Sequence, residues 1–158
     1  MHCLKAAKEY GLINILNPAP ACKLSNDFFK LVDYFTPNET EASFYVEHPV
    51  ETLDDASRAA KTLIEMGINN VIITLGEKGA YFANANETFS SPIANLSNPV
   101  VDTTGAGDAF NAGFAAALTE GQNIKDAIAF ASATAGLSTT KIGTANSMPR
   151  REEIDKIL

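Results

Sequence analysis

The residues most suited to chemistry lie between Asp102 and Phe110, where the sequence reads Asp-Thr-Thr-Gly-Ala-Gly-Asp-Ala-Phe. The small residues Gly105, Ala106 and Gly107 leave their backbone N–H groups unobstructed, and an apolar helical pattern begins at once. N–H groups that converge on the positive end of a helix form a binding site for an anion. The Asp108 carboxylate lies at the edge of that site, where it could take a proton from an attacking hydroxyl. An anion site beside a base predicts phosphoryl transfer.

This glycine-rich segment also has a structural interpretation, a tight strand-to-helix turn in which glycine serves packing only. Asp102 before the glycines, the hydroxyls of Thr103 and Thr104, and Asp108 after them make the pattern more specific than Gly-x-Gly alone. No Gly-Lys-Ser/Thr follows, so the segment is not a Walker phosphate loop. For Asp108 the structural alternative is a favourable charge at a helix N-terminus, and for Asp102 it is a turn-forming side chain.

Two further groups of polar residues follow short predicted strands. Asn38 and Glu41 are three residues apart and therefore share a helix face. The alternative for this pair is a helix cap followed by an exposed acid. The segment from Thr74 to Gly79 follows an apolar strand at its carboxyl end, which is where open α/β sheets bind ligands. A hairpin turn with glycine at positive φ explains the same segment equally well and does not exclude ligand binding.

Composition limits the class of protein and the kinds of partner. The chain has 158 residues, is 46% hydrophobic and carries a formal net charge of −7. An acidic chain without a Lys/Arg cluster argues against nucleic acid and against anionic membrane surfaces as partners. No apolar run approaches the roughly 20 residues of a membrane span. Cys3 and Cys22 have no metal-like spacing, which favours free thiols in a reducing, cytoplasmic compartment.

Strand-like and helix-like segments alternate along the chain, which predicts an α/β fold with a mainly parallel sheet. The continuous apolar run from Val71 to Leu75 is typical of a strand covered on both faces. A second apolar run, Leu12 to Leu16, predicts another buried strand. The remaining predicted strands are 32–35, 80–83 and 88–90, and the predicted helices are 1–9, 26–31, 39–46, 53–66, 106–120, 124–139 and 151–158.

The segment Asp102 to Ala115 resembles the carboxy-proximal signature of the ribokinase (PfkB) family of carbohydrate kinases. Other segments are similar to family motifs and fall in the family's order. Asn17–Ala21 resembles a strand ending, Thr36–Ala42 the Asn-x-x-Glu motif, Ile73–Ala80 the nucleotide loop and Gly143–Pro149 the final loop. The resemblance covers essentially the whole chain and implies a three-layer ribokinase-like α/β fold.

The resemblance implies an ATP-dependent sugar kinase. Asp108 would bind and activate the sugar hydroxyl, and the N–H groups of Gly105, Ala106 and Gly107 would hold the γ-phosphoryl group. The segments 17–21 and 36–42 lean towards family members that act on ribose, so the expected reaction converts D-ribose and ATP to D-ribose 5-phosphate and ADP. A fructokinase or nucleoside kinase of the same family, or a non-catalytic nucleotide-binding fragment, is the alternative.

The same resemblance implies ATP, Mg²⁺ and K⁺ as ligands. Glu41 would hold Mg²⁺ through water, and Asn38 would help to orient the phosphates. For Lys78 a solvated side chain, and for Ser132 close helix packing, are the structural alternatives. The implied ATP contacts are Asn38, Thr74, Gly76, Glu77, Lys78, Gly79, Gly107 and Ser132. The implied K⁺ ligands are Asp102, the backbone carbonyls of Thr104, Ser138, Lys141 and Gly143, and Ser147.

We expect residues 1–158 to form the nucleotide-binding and catalytic portion of such a kinase, equivalent to its carboxy-terminal half. In that interpretation the amino-terminal half, which carries the lid and the usual determinants of sugar identity, is absent. An uncovered sheet edge is prone to pair with another chain. The expected partners are therefore ATP, a small sugar, and a second copy of the chain or a complementing chain, with no nucleic acid and no membrane.

Overall fold

A computed structural model of the chain describes residues 1–158, which divide into two compact units. The first unit comprises Met1–Gly76 and Tyr81–Ser90, and the second comprises Glu77–Ala80 and Ser91–Leu158. The chain contains no helix with the length and apolar character needed to cross a membrane.

The first unit contains most of a five-stranded sheet with the strand order β1-β2-β3-β4-β5. Strand β1 pairs in parallel with β2, and β2 pairs in parallel with β3. The predicted α/β fold with a mainly parallel sheet is confirmed. The strands are β1 Ile15–Leu16, β2 Tyr34–Phe35, β3 Asn70–Thr74, β4 Ala80–Asn84 and β5 Thr88–Ser91.

The helices of the first unit are α1 His2–Glu9, α2 Asn26–Phe29, α3 Glu39–Val46 and α4 Leu53–Glu65. Helix α4 begins at a capping box, in which the Thr52 hydroxyl accepts the Asp55 N–H and the Asp55 carboxylate accepts the Thr52 N–H. The Thr52 hydroxyl also donates to Asp55 Oδ2 at 2.7 Å, and this bond, followed by the N–H groups of Glu51 and Thr52, lowers the pKa of Asp55 to about 2. The apolar stripe of α4 packs on β3 and closes the core of the unit, whose centre is formed by Phe35, Ala56, Ala59, Ala60, Leu63, Val71 and Ile73.

The prediction of a buried strand from Leu12 to Leu16 is wrong in its first half. Strand β1 begins only at Ile15, and Leu12 and Ile13 are 60% and 56% exposed. The Leu12 N–H donates to Ala7 O, so the chain is still completing the end of α1 where the strand was expected. The terminal helix is also shorter than the predicted 151–158.

The second unit is built on helices α5 Ala106–Thr119, α6 Ile124–Ser138 and the short α7 Arg151–Ile154. Helices α5 and α6 pack against each other at close range. A Cβ at Gly113 would lie 2.6 Å from Thr134 Oγ1, so a side chain there would force the two helices apart. Gly121 follows α5 at a φ of 77°, the conformation expected of the predicted glycine stop.

Candidate functional site

The turn that precedes α5 depends on glycine for two reasons. Gly105 is the N-cap of the helix and adopts a left-handed conformation with φ 78° and ψ 5°. A Cβ at this position would lie 3.2 Å from Thr144 Cγ2, a tight contact in addition to the unfavourable φ. Because glycine has no side chain, the helix begins without a side-chain cap.

Three backbone N–H groups at this helix start have no hydrogen-bond partner in the chain: those of Gly105, Gly107 and Asp108. The Ala106 N–H, by contrast, donates to Thr103 O at 3.1 Å. A Cβ built on Gly107 would have no atom within 4 Å, so the space in front of the turn is open. Unpaired N–H groups at the positive end of a long helix suit an anion. The Asp108 N–H was missed by the sequence analysis, which considered only its side chain.

The side chain of Asp108 lies in the first turn of α5 and is exposed. Its carboxylate makes no hydrogen bond or ion pair within the chain. A carboxylate with unoccupied oxygen atoms beside an anion site can accept a proton from a bound hydroxyl. The structure therefore places a carboxylate and three unpaired N–H donors at one helix start.

Asp102 fastens this turn to the segment that follows α6. Its Oδ1 accepts the Thr104 N–H and its Oδ2 accepts the Gly143 N–H, both at 2.9 Å. These bonds, the one from Gly143 foremost, lower the pKa of Asp102 to about 2. The N–H groups of Val101 and Asp102 also donate to Thr139 O, at 2.8 and 3.1 Å. The turn-forming role considered for Asp102 is thus realised, and the carboxylate is charged at neutral pH.

The other residues implied as cation ligands lie along the segment between α6 and α7. Ser138 and Ser147 are 1% and 0% exposed, and their hydroxyls donate to Ala135 O and Thr144 O. Lys141 is exposed, and its Nζ donates to a carboxylate oxygen of Glu153 at 3.1 Å. Hydrogen bonds bring Asp102, Thr104 and Gly143 together, but none joins Ser138, Lys141 or Ser147 directly to that group.

Asn38 and Glu41 form a capping box at the start of α3. Asn38 Oδ1 accepts the Glu41 N–H at 2.8 Å, and Glu41 Oε2 accepts the Asn38 N–H at 2.9 Å. Glu41 is only 8% exposed, so the alternative of a cap followed by an exposed acid is correct for the cap and wrong for the acid. The second oxygen of Glu41, Oε1, makes no hydrogen bond within the chain.

The nucleotide-loop residues in the first unit lie beside that cap. The Thr74 N–H donates to Pro37 O at 3.0 Å, and a parallel bridge joins Thr74 to Asn38. Gly76 has a φ of 52°, and a Cβ there would lie 3.7 Å from Glu39 Oε1. Glu39 was not singled out by the sequence analysis, although its place directly after the N-cap could have indicated it.

The remaining nucleotide-loop residues belong to the second unit. Glu77 and Lys78 are exposed in a short 3₁₀ turn, and Gly79 follows at a φ of 88°. A Cβ on Gly79 would lie 2.1 Å from Ser91 O, so the predicted glycine at positive φ is present and is required by packing. Ser132 is half-buried on α6 between the buried residues Ala131 and Ala133.

A mainly parallel α/β fold that contains a glycine turn opening onto a helix N-terminus is an arrangement suited to phosphate groups. Residues 1–151 match the sequence model of the pfkB family carbohydrate kinases. The chain belongs to this family of carbohydrate kinases, as its motifs indicate.

Individual relatives support the same assignment. A ribokinase from Haemophilus influenzae is 42% identical over 147 residues, which cover 93% of this chain and 47% of the relative. A deoxyribokinase from Salmonella typhi is 36% identical, with 99% and 51% covered. The structure of Arabidopsis thaliana ribokinase complexed with ribose and ATP matches with a TM-score of 0.91 at 35% identity, over 98% of this chain and 50% of that chain. The chain therefore spans about half the length of the curated relatives it matches.

Proposed function

We propose that this chain forms the nucleotide-binding and catalytic portion of an ATP-dependent sugar kinase that phosphorylates D-ribose. The observation that carries the proposal is the start of α5, where three unpaired N–H groups accompany the unpaired carboxylate of Asp108. Membership of a carbohydrate kinase family and the similarity to a ribokinase complexed with ribose and ATP support this reading of the turn.

In the proposed reaction Asp108 accepts the proton of the sugar's 5-hydroxyl as that oxygen attacks the γ-phosphorus of ATP. The bond between the γ-phosphorus and the bridging oxygen breaks, and ADP leaves with the electron pair. The N–H groups of Gly105, Gly107 and Asp108 stabilise the charge on the transferred phosphoryl group. Removal of one such donor typically raises the barrier by roughly 3–4 kcal/mol. The Ala106 N–H can join them only by giving up its bond to Thr103 O.

We assign nucleotide contacts to the residues that the family resemblance implies. The glycine conformations support this assignment, because Gly76 and Gly79 hold the backbone in turns that side chains would strain. The open space in front of Gly107 also allows a phosphate to approach the backbone closely. The proposed contacts are Asn38, Thr74, Gly76, Glu77, Lys78, Gly79, Gly107 and Ser132.

The residues of the chain fit a Mg²⁺ ion that binds together with the nucleotide, and do not form a metal site of their own. The chain has no group of three or more His, Cys, Asp or Glu side chains that could hold a metal. Glu41 nevertheless has an oxygen, Oε1, that is not used by the capping box. Mg²⁺ commonly binds through one or two carboxylates together with water and substrate phosphates. Glu41 would hold the ion, which neutralises charge on the phosphates, and Asn38 would orient them.

The residues around Asp102 fit a monovalent cation by the chemistry of their atoms. A charged carboxylate, backbone carbonyl groups and a buried hydroxyl are hard oxygen ligands. We propose that K⁺ is held by Asp102, by the backbone carbonyls of Thr104, Ser138, Lys141 and Gly143, and by Ser147, where it would order the segments that support the turn. The cytoplasmic location of the chain remains a prediction. Its association with a second copy or with a complementing chain also remains a prediction.

The proposal is tested by ADP release from the chain with Mg-ATP and K⁺, with and without D-ribose. Release that depends on ribose and is lost in Asp108→Asn supports a ribose kinase. 2-Deoxy-D-ribose belongs in the same assay, because one relative is a deoxyribokinase. Fructose and a nucleoside test the remaining alternatives of the family. ATP binding without release on any acceptor contradicts the kinase proposal for this chain and leaves non-catalytic nucleotide binding.

A further inference from the structure

The segment between α6 and α7, residues 139–150, is called the connecting loop. The Glu153 carboxylate accepts hydrogen bonds from a residue near its start and from its last residue. Glu153 Oε1 accepts a hydrogen bond from Lys141 Nζ at 3.1 Å, near the start of the loop. Glu153 Oε2 accepts the N–H of Arg150, its last residue, at 2.7 Å. The Arg150 N–H, followed by Lys141, holds the pKa of Glu153 below its ordinary value, so the carboxylate is charged at neutral pH.

Glu153 belongs to helix α7, which packs against α6. Arg151 forms ion pairs with Glu120, beyond the end of α5, and with Asp155. The Arg151 guanidinium lies 4.7 Å from the centre of the Phe130 ring on α6. Ile154 is 4% exposed. Although α7 has only four residues, the buried Ile154 and the contact of Arg151 with the Phe130 ring hold it against α6.

The middle of the connecting loop touches both sides of the anion-binding turn. The Gly143 N–H donates to Asp102 Oδ2 at 2.9 Å. The adjacent Thr144 packs closely on Gly105: a Cβ built on Gly105 would lie 3.2 Å from Thr144 Cγ2. A change in the loop therefore reaches the residue before the turn and the glycine that forms it.

We propose that Glu153 is a positioning residue for the anion-binding turn, because it holds the two ends of the loop whose middle supports Asp102 and Gly105. The inference rests on the function proposed for that turn. The side chains of Lys141 and Glu153 are 45% and 41% exposed, and exposed ion pairs contribute little to global stability. The orientation of preorganised N–H donors, in contrast, has a large effect on a transition state. The effect of Glu153 is thus on local order and turnover.

Three variants of the full chain separate these roles. Glu153→Ala removes both hydrogen bonds. Glu153→Gln keeps an oxygen that can accept the Arg150 N–H but loses the charge that attracts Lys141. Glu152→Ala is the matched control, since Glu152 is an exposed acid in the same helical turn and makes no hydrogen bond or ion pair.

The first measurement is amide hydrogen exchange without nucleotide, followed at the N–H groups of Thr104 and Gly143, which both donate to Asp102. We expect amide exchange at both sites to be about fivefold to tenfold faster in Glu153→Ala, a change comparable with the effect of removing a helix cap on local stability. Glu152→Ala leaves both rates unchanged. Partial rescue by Glu153→Gln, with exchange less than about threefold faster, separates this role from a folding defect.

The second measurement is ribose-dependent ADP release, in which Glu153→Ala should lower kcat about fivefold and leave the KM for ATP unchanged. Faster exchange confined to residues 150–154, or equal effects of Glu153→Ala and Glu152→Ala, overturns the inference. If the exchange results are as expected and the unaltered chain releases no ADP, the link from Glu153 to the turn is supported and the kinase proposal fails. Exchange measured without nucleotide thus keeps the two failures distinguishable.

Discussion

Helices α3 and α5 both begin at residues with proposed phosphate or metal chemistry, yet their first turns are built in opposite ways. At α3 the side chains of Asn38 and Glu41 each accept a backbone N–H, so the helix caps itself. At α5 the N-cap is Gly105, and the N–H groups of Gly105, Gly107 and Asp108 remain unpaired. At α3 side chains of the helix start pair two of its N–H groups, whereas at α5 no side chain does so and three donors are left for water or an anion to satisfy.

This difference determines which atoms each helix start can offer to a ligand. A self-capped helix start can act on a ligand only through atoms that the cap leaves over, such as Glu41 Oε1. An open start offers the backbone itself, whose position does not depend on a flexible side chain. We therefore expect substitutions at α5 to affect catalysis strongly, and substitutions at α3 to divide between helix stability and metal binding.

The largest expected effect is that of Asp108→Asn. The backbone N–H of residue 108 is retained, so the open start of α5 and its affinity for ATP should be unchanged, while the base is lost. We expect the turnover in ribose-dependent ADP release to fall by at least ~10². Asp54→Asn is the control, because Asp54 is also an exposed acid in the first turn of a helix. An equal loss of ATP binding, measured by titration calorimetry, would rule out the role of Asp108 as base.

The next effect separates stability from binding at Gly107. Alanine is favoured over glycine in a helix by about 0.5–1 kcal/mol, and a Cβ at this position meets no atom of the chain. Gly107→Ala should therefore leave the free energy of unfolding in urea unchanged or raise it, while it weakens ATP binding by filling the space in front of the turn.

Gly105→Ala is the contrasting variant for the same prediction. Its φ of 78° and the approach of Thr144 make the substitution strained, so both stability and ATP binding should fall. If Gly107→Ala binds ATP as well as the unaltered chain does, the space in front of the turn is not the phosphate site, and the contrast between the two helix starts loses its functional meaning.

A smaller effect is expected at the self-capped start. Glu41→Gln keeps an oxygen for the Asn38 N–H, so the free energy of unfolding should change less than it does when the cap at Asn38 is removed. The lost charge should nevertheless raise the Mg²⁺ concentration needed for half-maximal ATP binding. Asn38→Ala is the matched cap variant, with an expected loss of about 1 kcal/mol in stability. An unchanged Mg²⁺ titration in Glu41→Gln removes Glu41 from the metal site.

The sequence predicted features whose signals are local. Helix α4 could be predicted from its cap at Thr52 and its apolar stripe, and the turn before α5 from its glycines. The exposed Leu12 and Ile13 were mispredicted because an apolar run does not show that the strand begins later and lies at a sheet edge. The hydrogen bond from Gly143 to Asp102 joins residues 41 positions apart in the sequence, so no local pattern predicts it.

The smallest expected effect concerns pH and the fastening of the turn by Asp102. The pKa of this carboxylate is about 2 in the folded chain, held low chiefly by the Gly143 N–H, against about 3.9 for an unfolded Asp. A depressed pKa contributes stability above the unfolded value, and that contribution is lost as the pH falls from about 4 towards 2.

The variant Asp102→Asn has no titrating group at this position. The difference in unfolding free energy between the unaltered chain and this variant should therefore be constant above about pH 5 and become smaller between about pH 4 and 2. Urea unfolding of the two proteins at a series of pH values measures this difference. A deficit that stays constant or grows towards pH 2 would mean that Asp102 does not hold the turn through its charge. The open start of α5 would then depend on the shape of Gly105 alone.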